Sequence, residues 1–122
     1  MHKGVVFFTV VAMVIAALPA AATDVTGTWS CTVQLDSGTG TPTFVFKQEG
    51  EKLTGTYNGP LGEYKVTGTM TGAKAVFGFD FTQDGVTGKA TYTGTIESPT
   101  KMTGTVEFTG GERGKWAATK KQ

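Results

Sequence analysis

The chain has one histidine, one cysteine and no appreciable surplus of either charge. Its histidine is His2, at the extreme N-terminus and inside a segment read below as a leader, so residues 23–122 contain none. Without imidazole there is no Ser-His-Asp triad, no Cys-His dyad and none of the commonest zinc sites. A lone Cys31 excludes an intramolecular disulfide framework and cysteine-rich metal clusters. The formal net charge is +1, and ten basic residues face ten acidic ones once Lys3 is set aside with the leader. Nucleic acid and anionic membrane surfaces therefore lose their usual electrostatic basis as partners. Paired carboxylates are possible in principle, but Glu49 and Glu51 flank a turn glycine and Glu63, Asp84 and Glu112 fall in separate loops, so each reads as a solvated turn residue rather than a catalytic acid. The glycine-rich stretch 58–62 lacks the Lys-Ser/Thr of a phosphate loop. Met70, Met102 and Tyr57 are residue types that can ligate haem, but they fit core positions better. No metal, no cofactor and no enzymatic activity are expected.

Residues 1–22 read as a secretory signal peptide. Lys3 supplies the charged start, Val5 to Leu18 is apolar, and Pro19 precedes the small residues Ala20, Ala21 and Ala22. The apolar run is shorter than the roughly 20 residues that span a bilayer. Cleavage after Ala22 leaves one domain, residues 23–122, in the periplasm or outside the cell, with no membrane insertion. Cys31 shares a strand face with Trp29, Val33 and Leu35, and so reads as a buried, inert thiol.

Helical periodicity is also missing. Apolar and polar residues instead alternate with period two over 27–35, 42–48, 53–57, 64–70, 75–81, 86–96, 101–108 and 115–120, separated by turn residues. Eight short strands with tight connections predict an all-β domain, a single antiparallel up-and-down barrel. Asp84-Gly85 is a two-residue hairpin signal. Counting outward from it sets Asp80 against Lys89, Phe79 against Ala90, Phe77 against Tyr92 and Phe81 against Gly88, with charges on one face and aromatics on the other. A turn at 98–100 would set Glu97 against Lys101 and Ile96 against Met102. One at 71–74 would set Met70 against Ala75 and Gly68 against Phe77. A turn at Glu49-Gly50 would oppose Lys47 to Lys52, which calls for a bulge.

The same parity points Trp29, Phe44, Phe46, Tyr57, Tyr64, Phe77, Phe79, Phe81, Tyr92, Phe108 and Trp116 inward. The outer face is mostly Thr, Lys and Glu, the reverse of an outer-membrane barrel. Thr-Gly-Thr recurs at 26–28, 39–41, 54–56, 67–69, 93–95 and 103–105. In the five copies that fall in strands, glycine faces inward and threonine outward. Such a glycine lets the strand coil and leaves room for a large ring from across the barrel.

Gly27-Thr28-Trp29 resembles the Gly-x-Trp signature of lipocalins and related eight-stranded barrels. Leu53-Thr54-Gly55-Thr56-Tyr57 and Ala75-Val76-Phe77-Gly78-Phe79 look like avidins, and the chain is similar to small Gly/Thr-rich secreted bacterial barrels. The resemblance implies that Trp29 closes one barrel end under a basic residue, with Arg113 the first choice over Lys115 and Lys120. It also implies a correspondence between Tyr57 and a ligand-contacting avidin tyrosine. Cys31 and Leu35 stand where avidins carry polar ligand contacts, and the further tryptophans that wall a biotin site are absent, so strong biotin binding is not implied.

Two functions follow. In the first, the interior holds a small hydrophobic or aromatic ligand, with Tyr57, Tyr64 and Tyr92 as polar groups and Phe44, Phe46, Phe77, Phe79 and Trp116 as walls. In the second, those rings merely fill the core, and surface loops make contacts with other proteins. An oligomer is left open, since no apolar outer stripe demands one.

Overall fold

The computed structural model describes residues 24–121; the leader assigned to residues 1–22 lies outside them. Among the described residues the alternating segments form nine strands: β1 (Gly27–Leu35), β2 (Gly38–Gly40), β3 (Thr43–Glu49), β4 (Lys52–Gly59), β5 (Gly62–Thr71), β6 (Lys74–Gln83), β7 (Val86–Ser98), β8 (Lys101–Phe108) and β9 (Arg113–Lys120). β1 pairs antiparallel with both β2 and β3, each strand from β3 to β8 pairs antiparallel with the next, and β1 also pairs with β9 from Trp29↔Lys120 to Leu35↔Gly114, closing the sheet.

The strand β2 was not expected, yet it does not add a ninth stave. Pairing of β1 with β3 at Trp29↔Phe44 and Ser30↔Thr43 continues in one register into its pairing with β2 at Val33↔Gly40 and Leu35↔Gly38. Pro42 interrupts this strand because it has no N–H to donate. Its carbonyl still accepts from the Cys31 amide at 2.9 Å. The architecture is therefore the expected closed eight-stranded up-and-down barrel.

Turn chemistry sets the register. Asp84 (φ 54°) and Gly85 (φ 80°) both occupy the left-handed region that a type I′ hairpin needs. All four predicted pairs around that turn are present, and Lys89 Nζ lies 3.6 Å from Asp80 Oδ1. The pairs Met70↔Ala75 and Gly68↔Phe77 also hold. Two turns differ from expectation. The first is centred on Gly50-Glu51, so Glu49 meets Lys52 and Lys47 meets Thr54, which removes the Lys–Lys clash without a bulge. In the second, Ile96↔Met102 holds, but Ser98 rather than Glu97 pairs with Lys101 and the irregularity falls between Ile96 and Ser98. The Glu97 carboxylate, displaced from the ladder, accepts from the Thr103 hydroxyl at 2.6 Å.

Every aromatic expected inside the barrel is there; Tyr64, Phe81 and Phe108 are half-buried and the rest buried. Burying each large ring contributes about 2–3 kcal/mol of hydrophobic stabilisation. The inward glycines create the space. Gly94 and Gly104 face each other across β7 and β8 beside the Trp116 ring. A Cβ on Gly104 would collide with the Thr93 carbonyl oxygen and lie 2.5 Å from the Gly94 Cα. A Cβ on Gly88 would lie 2.8 Å from Phe81 Cζ. The Thr-Gly-Thr triplets thus let neighbouring strands close tightly around large rings.

Candidate functional site: the open end of the barrel

The two ends of the barrel differ. At one end Trp29 is fully buried, and its Nε1 donates to the Val25 carbonyl at 2.9 Å. Residues 24–26 cross this end as a strap, because Gln48 ties them down: Val25 N donates to Gln48 Oε1 and Gln48 N donates to Thr26 Oγ1, each at 3.0 Å. Leu53 and Met102 plug the space beneath. Trp29 is thus buried beneath this strap, and Arg113, the basic residue first set over it, lies elsewhere. Arg113 begins β9 at the opposite end, is largely exposed, and pairs with Glu107 at 2.7 Å. The basic residue paired with Trp29 across β1 and β9 is Lys120, whose side chain runs beside Gly27. Reversing the direction of β9 relative to β1 exchanges the two candidates.

The middle of the barrel is solid with rings. Phe44 meets Phe46, Phe77 and Tyr92 with centroids 5.4, 5.2 and 5.2 Å away, and Phe77 stacks on Tyr92 at 5.1 Å. Trp116 packs edge-on to Phe77 and Tyr92 at 5.6 and 5.7 Å, with its Nε1 satisfied by the Thr105 carbonyl at 2.9 Å. These separations are ordinary aromatic packing and leave no room for a guest between them. Phe44, Phe46, Phe77, Phe79 and Trp116, expected as ligand walls, instead form the packed layer on which a cavity rests.

That cavity occupies the other end, with a volume of about 490 Å³. Val33, Tyr57 and Tyr92 line its deeper part, together with Leu35, Pro42, Leu61, Phe81 and Phe108. Ser37, Thr39, Gln83, Thr109 and Glu112 supply polar groups from the connecting turns and strand ends. Its existence follows from the strand ends: the last large inward side chains are Leu35, Phe81 and Phe108, and the residues that follow carry no rings. Phe81 and Phe108 are 6.2 Å apart, edge to face. Across the mouth the Ser37 hydroxyl donates to Glu112 Oε2 at 2.5 Å, joining the β1–β2 turn to the β8–β9 loop.

Of the three tyrosines expected to present polar groups, two line the cavity. Tyr92 is almost fully buried, and its hydroxyl has no hydrogen-bond partner among the described residues. Burial pushes its pKa far up, with Cys31 and Tyr57 adding to the shift. The Tyr57 pKa is raised too, mainly by burial, against an opposing effect of the Leu61 backbone. Both groups are thus neutral donors at physiological pH rather than bases. Tyr64 has a different task. Its hydroxyl lies 2.9 Å from the carbonyls of Leu61 and Thr82 and accepts from the Thr82 amide at 3.2 Å. Tyr64 fixes the β4–β5 turn against the end of β6 and is not part of the cavity lining. Leu35, Pro42, Leu61, Phe81, Phe108 and Glu112 were not singled out as ligand contacts, although the strand parity marks Phe81 and Phe108 as the last inward rings before a turn.

Cys31 is buried, and burial lifts its thiol to about 12, so it is inert as a nucleophile in the folded protein. Among the described residues no charged side chain is buried, and no three His, Cys, Asp or Glu side chains cluster. The arrangement can hold an apolar body and offer it phenolic hydrogen bonds.

No protein-family model matches the chain, and no curated protein sequence matches it. Solved structures do. A redesigned β-barrel superposes with a TM-score of 0.69 at 16% identity, covering 88% of this chain and 98% of that one. A second redesigned β-barrel, mFAP1 bound to DFHBI, gives 0.61 at 18% identity, covering 84% and 98%. A de novo designed fluorescence-activating β-barrel gives 0.58 at 14% identity, covering 89% and 100%. At these identities the likeness is one of fold, and that fold is a small eight-stranded antiparallel β-barrel.

Proposed function

We propose that this protein is an exported, non-enzymatic binding barrel of the lipocalin/avidin type that takes a small hydrophobic or aromatic ligand at its open end. One observation carries the reading: the Tyr92 hydroxyl is buried, unpartnered among the described residues, and part of the cavity lining. Leaving a buried hydroxyl without a partner costs about 1–3 kcal/mol. A ligand atom that accepts its proton would recover this. The cavity lies within the range of about 300–1,000 Å³ usual for small-molecule sites, and its walls are mostly apolar. The structure of a barrel of this shape with DFHBI bound is consistent with such use. Export rests on the leader read from residues 1–22.

The packed middle layer also favours a limited form of the alternative, in which the interior is filled. The two readings combine if the barrel below Tyr92 is core and only the space above it is site. A thermal-shift panel of small apolar molecules, biotin included, tests this against the wild type and Tyr92→Phe. A ligand present at a hundred times its Kd should stabilise the wild type by about 2.7 kcal/mol, and the variant by clearly less. Failure of every compound to raise the melting temperature would overturn the proposal in favour of the filled-core barrel.

A further inference from the structure

Among the residues lining the cavity there is no lysine or arginine; the charged one is Glu112. The turns around the mouth repeat this bias. Asp36, Glu63, Asp84 and Glu112 stand in or beside the four connections at this end, all exposed. The cation there, Arg113, is already paired with Glu107 at 2.7 Å. Lys89 is held by Asp80 at 3.6 Å on the outer wall, and Lys65 and Lys115 also face outward, away from the cavity. The closed end is mixed, with Lys52, Lys74, Lys101, Lys120 and Lys121 at its strand ends beside Asp24, Glu49, Glu51 and Glu97. Carboxylates gathered at the mouth of a low-dielectric cleft raise the local concentration of cations and repel anions. Deeper in, the buried Tyr92 hydroxyl is the independent sign of a site, and the π face of an aromatic ring can accept its proton.

Building on the proposal that the open-end cavity binds a ligand, we infer that it selects its occupant by charge, taking an aromatic amine and refusing the matching carboxylate. The aromatic body lies between Phe81, Phe108, Leu35 and Leu61. The ammonium group faces outward at Glu112, whose second carboxylate oxygen is left free by the Ser37 hydrogen bond to Oε2. A carboxylate in the same place would have no cationic partner in the cavity and would lie against Glu112. This separates the site from one built for fatty acids, which needs a buried or rim cation.

The test uses three probes of one shape: 2-naphthylmethylammonium, neutral 2-naphthol and 2-naphthoate, titrated calorimetrically into the full barrel at pH 7. The ammonium should bind about tenfold tighter than the carboxylate, with the neutral probe between them. The gap should narrow at high salt and close in Glu112→Gln, a rim substitution whose unchanged melting temperature verifies the fold. Equal affinities, or a preference for naphthoate, would overturn charge selection while leaving a binding cavity in place. A preference that survives Glu112→Gln unaltered would overturn the role given to Glu112. No binding by any of the three would overturn the cavity reading and this inference with it.

Discussion

Gly104→Ala probes why the sequence repeats Thr-Gly-Thr. A methyl group at this position would point into the barrel, collide with the Thr93 carbonyl oxygen and sit 2.5 Å from the Gly94 Cα. Ordinary carbon–carbon contact is about 3.5–4 Å, so β7 and β8 would have to part by roughly 1 Å. The obstruction is backbone on both counts and cannot rotate aside. Overpacking of this kind costs about 1–3 kcal/mol, and a backbone obstacle belongs in the upper half. Loss of glycine's freedom in the unfolded chain returns about 0.4–1 kcal/mol. The net expectation is a destabilisation of about 2 kcal/mol, which lowers the melting temperature of a domain this size by about 8–16 °C. Thermal unfolding followed by near-ultraviolet circular dichroism measures it, with Thr105→Ala on the exposed face as a control expected within about 0.5 kcal/mol of wild type. A Gly104→Ala melting temperature equal to or above that of the wild type would refute the idea that these glycines are present to make room.

Other consequences can be checked alongside. Tyr92→Phe should leave the unfolding free energy of the ligand-free barrel unchanged or raise it by up to about 1 kcal/mol, because it removes a buried hydroxyl without orphaning a partner; a marked fall in denaturant unfolding would mean that the hydroxyl has a structural role. Trp29→Phe removes the hydrogen bond to the Val25 carbonyl and part of the plug, and should cost about 2–4 kcal/mol by denaturant unfolding. A change below about 0.5 kcal/mol would contradict closure by Trp29. Cys31 is lifted by burial from 9.0 to about 12, so an unfolded chain loses its thiol proton first. Stability should therefore be complete below about pH 9 and fall between there and pH 12, with the raised Tyr57 and Tyr92 values acting in the same direction. Alkaline melts of wild type and Cys31→Ala should diverge in that window, and parallel curves would exclude the thiol as a contributor.

Much of the fold was legible because the evidence for it is local. Asp84-Gly85 fixes one hairpin, and period-two parity then carries the register and the inward rings around the barrel. What failed depended on detail that parity does not encode. At Gly50-Glu51 a shift of one residue in the turn replaced a Lys–Lys opposition with Glu49 against Lys52. Pro42 split a strand whose two halves nevertheless share a register. The resemblance that implies a basic residue over Trp29 does not say which one, and the antiparallel β1–β9 pairing brings Lys120 rather than Arg113 beside it. The site was less legible than the fold. Alternation identifies which side chains point inward, but not at which level the interior stops being filled. That level depends on how five rings pack with centroids 4.9–5.7 Å apart, which is a property of three dimensions. Tyr57 and Tyr92, inward and polar, line the cavity. Tyr64 meets the same two criteria and is spent on holding the Leu61 and Thr82 backbones.

Whether the space above Tyr92 is a binding site is tested most directly by amide NMR of the labelled barrel titrated with 2-naphthylmethylammonium. Binding at the open end should shift resonances of Leu35, Leu61, Phe81, Tyr92, Phe108 and Glu112, and leave those of Trp29, Leu53 and Met102 at the closed end unmoved. Shifts confined to the outer wall or the closed end, or none at saturating probe, would contradict it.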